Sequence, residues 1–302
     1  MAHDHAHRSS NRSRLLIVIG IVSVVLVAEV VGAALSGSLA LFADAGHMLS
    51  DLTGLVVALV AAIVAARPAS ERQTYGYQRA EVFGALINAL ILIVVALFVG
   101  IEGIRRLIEP GPAEVQGSLM LLIASIGLVA NVIAFLVLRR GDTTSLNMRG
   151  AALEVLGDLL GSIAVIVAGI VIITTGFAAA DAIASLLIAV MIVPRAVSLL
   201  RDVVRVLSQS VPVDTSVAEI REHILETDGV VDVHDVHVWA ITSGEYVFSA
   251  HVVVEPDALV GERSSCLLDE LSDCLAHHFD VEHSTFQLEP AEHAAHEQPH
   301  HA

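Results

Sequence analysis

Two pairs of polar residues interrupt long apolar runs. His47 and Asp51 stand four apart in Ala43-Asp44-Ala45-Gly46-His47-Met48-Leu49-Ser50-Asp51. Glu154 and Asp158 stand four apart in Gly150-Ala151-Ala152-Leu153-Glu154-Val155-Leu156-Gly157-Asp158. On a helix this spacing puts both side chains of a pair on one face, a turn apart. If the two faces meet, one imidazole and three carboxylates converge. That is a full tetrahedral donor set for Zn²⁺, with metal–ligand distances of ~2.0–2.2 Å. Gly46, Ser50 and Gly54 flank the first pair, and Gly157, Gly161 and Ser162 the second; such small residues let helices approach closely. A lone His or Asp inside a membrane is often only a hydrogen-bond partner between helices. Two pairs, each beside glycines on its own helix, favour a metal site.

Such a site can empty as well as fill. Carboxylates packed together cannot all stay ionised without a cation. Losing the metal therefore loads protons, and binding it releases them. Holding either a metal ion or protons, but not both, is the physical basis of antiport.

The elements that position these residues follow from composition. Of 302 residues, 55% are hydrophobic and 16% charged, and the mean hydropathy is +0.74. This excludes a disordered chain and argues against a plain soluble enzyme. Six stretches have the roughly 20 apolar residues that a membrane span needs: about 15–35, 39–66, 82–108, 116–138, 150–175 and 178–200. The first apolar run is too long for a cleaved signal peptide and has no small-residue cleavage site ahead of a polar start. Arginines cluster at the N-tail (Arg8, Arg12, Arg14), after span two (Arg67, Arg72, Arg79), after span four (Arg139, Arg140, Arg149) and after span six (Arg201, Arg205). Alternate loops lack them, apart from Arg105 and Arg106. Both termini are therefore expected in the cytoplasm of a multi-pass protein of the inner (plasma) membrane. Within the spans, Glu29, Asp44, Asp181 and Glu102 are further acids. Glu29 is expected to hydrogen-bond within the bundle, Asp181 and Asn88 to orient helices, and Asp44 to assist ion or proton entry without being a ligand.

The net charge of −17 is confined to one region. Residues 212–302 hold 19 of the 33 acids and only two of the 16 arginines, Arg221 and Arg263. Such a domain repels nucleic acid and favours cations. Its pattern predicts a helix from an Asp214 cap to about Glu226, strands Val233–Ile241 and Tyr246–Glu255, a helix over 264–278 and a strand Ser284–Leu288. The order αββαβ is ferredoxin-like or metallochaperone-like. Strand alternation puts Gln287 and Glu289 on one face, opposite Phe286 and Leu288. The expected plan is a His-bearing cytoplasmic tail (1–13), a six-helix transmembrane domain (14–208), a cytoplasmic metal-binding and dimerisation domain (209–290) and a His-bearing disordered tail (291–302). Two cysteines, Cys266 and Cys274, fit a reducing compartment and form no disulfide framework.

Other activities fit poorly. An intramembrane metalloprotease commonly carries His-Glu-x-x-His, which is absent, and His47 is the only histidine in a predicted span. The chain has no lysine, so no Walker lysine for ATP. A membrane-anchored metal sensor or binder without transport is the alternative; polar pairs deep in spans two and five argue against spans that merely anchor.

The chain resembles the cation diffusion facilitator family of metal/proton antiporters, close to its zinc-exporting members. The likeness rests on Ser38–Asp51, Tyr75-Gly76-Tyr77-Gln78-Arg79-Ala80-Glu81, Leu153–Asp158 and His234-Asp235-Val236-His237-Val238-Trp239. It covers roughly residues 12–290. The resemblance implies a homodimer that exports Zn²⁺ by alternating access, with metal at His47, Asp51, Glu154 and Asp158. It also implies Zn²⁺ as a regulatory ligand near the dimer interface, at His234, His251, Gln287 and Glu289. Zinc-selective relatives often carry His where Glu154 stands. Extra oxygen donors leave Cd²⁺, Co²⁺ or Fe²⁺ open. Gln287 stands where some relatives have His, and the loop between spans two and three lacks the histidines with which some bind metal.

Overall fold

The computed structural model describes residues 20, 22–65, 67, 69–109, 115–138, 146–213, 215–242, 244–279, 281 and 283–296, without the side chains at 55, 58, 59, 61, 62, 65, 134–138 and 146–156. The 1–13 tail and the end of the second tail lie outside the described residues. So do Asp214 and the side chain of Glu154.

Two compact units form. One runs up to Ile63 and resumes over Gly84–Leu200; the other joins Val64–Phe83 to the residues from Arg201 on. The first is all helical: α1 (Val22–Ser36), α2 (Leu39–Ala65), α3 (Arg79–Ile108), α4 (Gly117–Leu138), α5 (Leu146–Thr175) and α6 (Ala179–Leu207). Among the described residues, α3, the Gly157–Thr175 part of α5, and α6 are long and apolar enough to cross a bilayer. Val22–Ser36 and Gly117–Ile133 are shorter apolar helices. Small residues dominate the interior. Ala40, Ala43, Ala96, Ala124, Ala168 and Ala184 are buried beside Leu41, Leu92 and Ile188. Val24, Leu97, Val129, Val167 and Val190 face outward. Helices apolar on every side suit a bundle surrounded by lipid.

The start of α2 is fixed from a distance. Gly37 turns the chain with φ +68°, a value that favours glycine. The first N–H groups of α2 have no helical partner. Asp181, at the start of α6, supplies one. Its carboxylate accepts from Leu39 N at 2.7 Å, Ala40 N at 3.2 Å and Ser38 Oγ at 2.6 Å. Arg106 of α3 joins it, donating to Asp181 at 3.3 Å and to Gly37 O at 3.0 Å. Glu102 pairs with both Arg105 and Arg106. These two arginines, the exceptions to the loop pattern, are thus neutralised within the bundle. Asp181 orients helices as expected. Glu29 does not behave as expected: it is buried, and both its carboxylate oxygens lack a hydrogen bond among the described residues.

The second unit has the αββαβ order: α7 (Val217–Leu225), β1 (Val230–Thr242), β2 (Glu245–Val254), α8 (Glu262–Phe279) and β3 (His283–Pro290). β2 pairs antiparallel with β1 and parallel with β3, so α8 serves as the crossover that a parallel pair requires. Ile220 and Ile224 of α7, and Leu267, Leu271 and Leu275 of α8, face Val233, Phe248 and Val252 of the sheet. The cap of α7 is Ser216 rather than Asp214. Its side chain accepts from Glu219 N at 3.3 Å, and Ser216-x-x-Glu219 is a capping-box spacing. Residues 291–302 were expected to be disordered, yet they begin with a one-turn helix, α9 (Ala291–Ala294), entered from Pro290. The 64–83 segment belongs to this unit. Glu81 accepts from Thr242 Oγ1 at 3.1 Å, and Tyr75 packs edge-on against His283.

Candidate metal centres

The polar faces of α2 and α5 meet. His47 Nε2 lies 2.7 Å from Asp158 Oδ1. One donor atom from each of His47, Asp51 and Asp158 lies within 4.8 Å of the others. Ligands of a tetrahedral ion at ~2.1 Å stand ~3.4 Å apart, so a small contraction closes the cluster on one ion. Nδ1 of His47 makes no hydrogen bond among the described residues. The backbone of residue 154 is helical and one turn before Asp158.

Close packing brings these groups together. A Cβ on Gly161 would lie 3.0 Å from Asp44 Oδ1, and one on Gly46 only 2.4 Å from Val95. Those two glycines set the α5–α2 and α2–α3 approaches. Gly157 meets no neighbour; the space beside it is a cavity of about 180 Å³ lined by Asp44, His47, Gly161, Met191 and Arg195 among others. Asp44 accepts a long 3.4 Å bond from Ser162. It lies on the cavity wall beside His47. Sequence reasoning passed over Arg195 of α6, whose Nη2 lies 2.8 Å from Asp51 Oδ1.

In the second unit a row of side chains crosses the sheet. His234 pairs in register with His251, and His251 with Gln287. His234 Nε2 approaches Glu289 Oε1 to 3.1 Å, and His251 Nδ1 lies 3.9 Å from Oε2. Gln287 Nε2 donates to Glu289 Oε2 at 3.2 Å. Glu289 is 2% exposed, and its Oε1 accepts no hydrogen bond among the described residues. A buried carboxylate facing two imidazoles fits a divalent cation. His293 of α9 brings a third imidazole, 3.7 Å from Oε2.

A bulge makes this row possible. The β1/β2 register shifts between His234 and His237, where Asp235 adopts φ +49°. Val233 and Val238 both reach the core, although strict alternation would send them to opposite faces. His237 turns instead to Asp235, at 3.1 Å. Cys274 is no ready ligand: burial, then the nearby Glu226 carboxylate, push its thiol above the usual range and disfavour the thiolate that binds metal.

A family model of the cation efflux transmembrane domain matches residues 15–208, and one of the cation efflux protein cytoplasmic domain matches 212–291. The chain belongs to the cation diffusion facilitator family. This is a transporter family, with a polytopic helical membrane domain followed by a cytoplasmic α/β domain. The chain is 42% identical to the metal cation efflux system protein CzcD of Cupriavidus metallidurans, across 96% of this chain and 90% of that one. It is 41% identical to the zinc transporter ZitB of Escherichia coli (96% and 93%). It is 40% identical to a cadmium, cobalt and zinc/H(+)-K(+) antiporter of Bacillus velezensis (97% and 93%). Among solved structures, the metal-bound C-terminal domain of CzcD aligns over 25% of this chain and 99% of that domain, at 40% identity and a TM-score of 0.23.

Proposed function

We propose that this cation diffusion facilitator is a homodimeric Zn²⁺/H⁺ antiporter of the inner membrane, exporting the ion from the cytoplasm by alternating access. Both termini lie in the cytoplasm. The observation that carries the reading is the convergence of His47, Asp51 and Asp158 beside a cavity inside an apolar bundle. Glu154, a turn before Asp158, completes the set. The metal is cargo, and the side chains do the exchange. Arriving Zn²⁺ displaces protons held on the carboxylates and His47, and its departure returns them. Because neither load leaves the site bare of positive charge, each direction of travel carries one or the other. The names of the relatives, which speak of zinc, cadmium and cobalt efflux and of antiport, support the reading. A donor set with three carboxylates admits Cd²⁺, Co²⁺ and Fe²⁺ beside Zn²⁺.

The test is transport by the purified chain in proteoliposomes under a Zn²⁺ gradient, with an internal pH dye. Proton counterflow that requires Zn²⁺ is expected; metal binding without flux would leave a sensor. Glu154→His should shift preference severalfold toward Zn²⁺ over Cd²⁺, as an imidazole, a donor that suits the smaller borderline Zn²⁺, replaces a carboxylate. An unaltered ratio would remove residue 154 from the ligand set.

The cytoplasmic cluster takes a second Zn²⁺ as a regulatory ligand, held by His234, His251 and Glu289. Glu289→Gln is expected to weaken this ion by at least ~10-fold. Titration of the detergent-solubilised chain should then bind less Zn²⁺ per protomer. Unchanged stoichiometry and affinity would count against the site.

A further inference from the structure

Within the antiport reading, on which this inference rests, the ligand cluster contains a cation that cannot be cargo. Arg195 Nη2 lies 2.8 Å from Asp51 Oδ1, and Arg195 is 33% exposed. The same side chain lines the cavity beside His47 and Asp44. A guanidinium keeps its proton at any physiological pH and has no lone pair for a metal. It therefore serves in neither load, metal or proton. Yet it sits on the carboxylate that a divalent ion in this cluster would share. An ion that coordinates Asp51 has to share it with a neighbouring positive charge or push that charge aside. Both routes cost binding free energy, and in a partly buried site the repulsion is poorly screened.

The position of Arg195 in its helix favours displacement. It follows Pro194, inside α6. Proline has no N–H to give the carbonyl of Val190, so the helix lacks one rung of its ladder just before Arg195. α6 contributes none of the clustered donors, which come from α2 and α5. Its contribution to the cluster is this charge.

We infer that Arg195 is a tethered counter-cation of the transport site. It occupies Asp51 when the metal is away, competes with the arriving ion and drives its release. A site of three carboxylates and an imidazole would otherwise hold Zn²⁺ too tightly to empty in a useful time. Arg195 trades affinity for turnover, as a positioning residue acting through Asp51.

Initial rates of Zn²⁺ transport by the full-length chain in proteoliposomes, over a range of Zn²⁺ concentrations, test this. R195M removes the charge and keeps much of the volume. Its KM is expected to fall about tenfold, with a fall in kcat as release slows. R195K, which keeps a cation on a flexible stem, should hold KM nearer the wild-type value. A merely structural arginine would raise KM or leave it unchanged in R195M, and Lys would not differ from Met; either result overturns the inference. If R195M does not fold, R195Q is compared with the parent by equilibrium Zn²⁺ titration. Both then carry H234A and H251A, so that the intramembrane ion is read. Tighter binding in R195Q supports the competition, and equal or weaker binding overturns it. Wild-type protein that fails to move Zn²⁺ refutes the antiporter reading. Wild-type transport with an unshifted KM in R195M refutes only the role of Arg195.

Discussion

Asp158→Asn is expected to abolish Zn²⁺-driven proton movement, lowering the initial rate by more than ~100-fold, while the protein stays folded. Losing even a group behind a ligand commonly costs 10–100-fold in metal affinity, and Asp158 is placed as a ligand itself. It is the donor that α5 contributes to the described cluster, with Oδ1 2.7 Å from His47 Nε2. Without it the described donors are His47 and Asp51, both on α2, and two donors on one helix do not enclose an ion. The amide keeps the shape of the carboxylate but neither its charge nor its capacity to exchange a proton for metal. Folding should survive, because Asp158 is part-buried and no cap or helix terminus depends on it. Proteoliposomes with matched protein content and an internal pH dye read the result. Flux within a few-fold of wild type would remove the proposed cluster from the transport pathway.

The second large effect concerns folding. Asp181→Ala should lower the unfolding temperature sharply or prevent recovery of folded protein. Asp181 is 1% exposed and receives four donors: Ser38 Oγ, two backbone N–H groups of α2 and Arg106. Alanine leaves Ser38 Oγ and the two α2 N–H groups without this acceptor and takes from Arg106 its buried carboxylate, leaving it Gly37 O and Glu102. An unsatisfied buried polar group costs about 1–3 kcal/mol, and breaking a buried charge pair about 3–5 kcal/mol. Asp181→Asn retains acceptors for the α2 N-terminus but not the charge facing Arg106, so its loss should be intermediate. Thermal unfolding in detergent orders the three proteins. Asp181→Ala melting with the wild type would contradict the cap. Because His47 lies on the helix that Asp181 starts, any folded fraction should also transport less.

The apolar helices were legible because membrane length and hydropathy are local properties. So was the α/β order, which follows strand alternation and the Leu267–Leu271–Leu275 repeat. The His47, Asp51 and Asp158 cluster was legible for a related reason: i, i+4 pairs report a helix face, and polar faces in apolar helices seek each other. Other features depend on contacts far apart in sequence. Nothing near Asp181 announces that it caps a helix beginning 142 residues earlier, and nothing near Glu81 announces Thr242. Arg195 lies inside the 178–200 span, ahead of the Arg201 and Arg205 flank, and that place within an apolar helix is the signal that marks it. The bulge at Asp235 also left a trace. Val233 and Val236 are three apart where a plain strand would space them by two. Ser216 lost to Asp214 as the expected cap, although Glu219 three residues on marked it.

The proposed exchange requires one dehydrated divalent ion gripped between α2 and α5. Anomalous diffraction at the zinc edge from the Zn²⁺-loaded, full-length protein tests it most directly. A single intramembrane peak is expected within ~2.0–2.2 Å of His47, Asp51, Glu154 and Asp158. A loaded protein that transports Zn²⁺ but shows no peak between those four side chains would contradict the account.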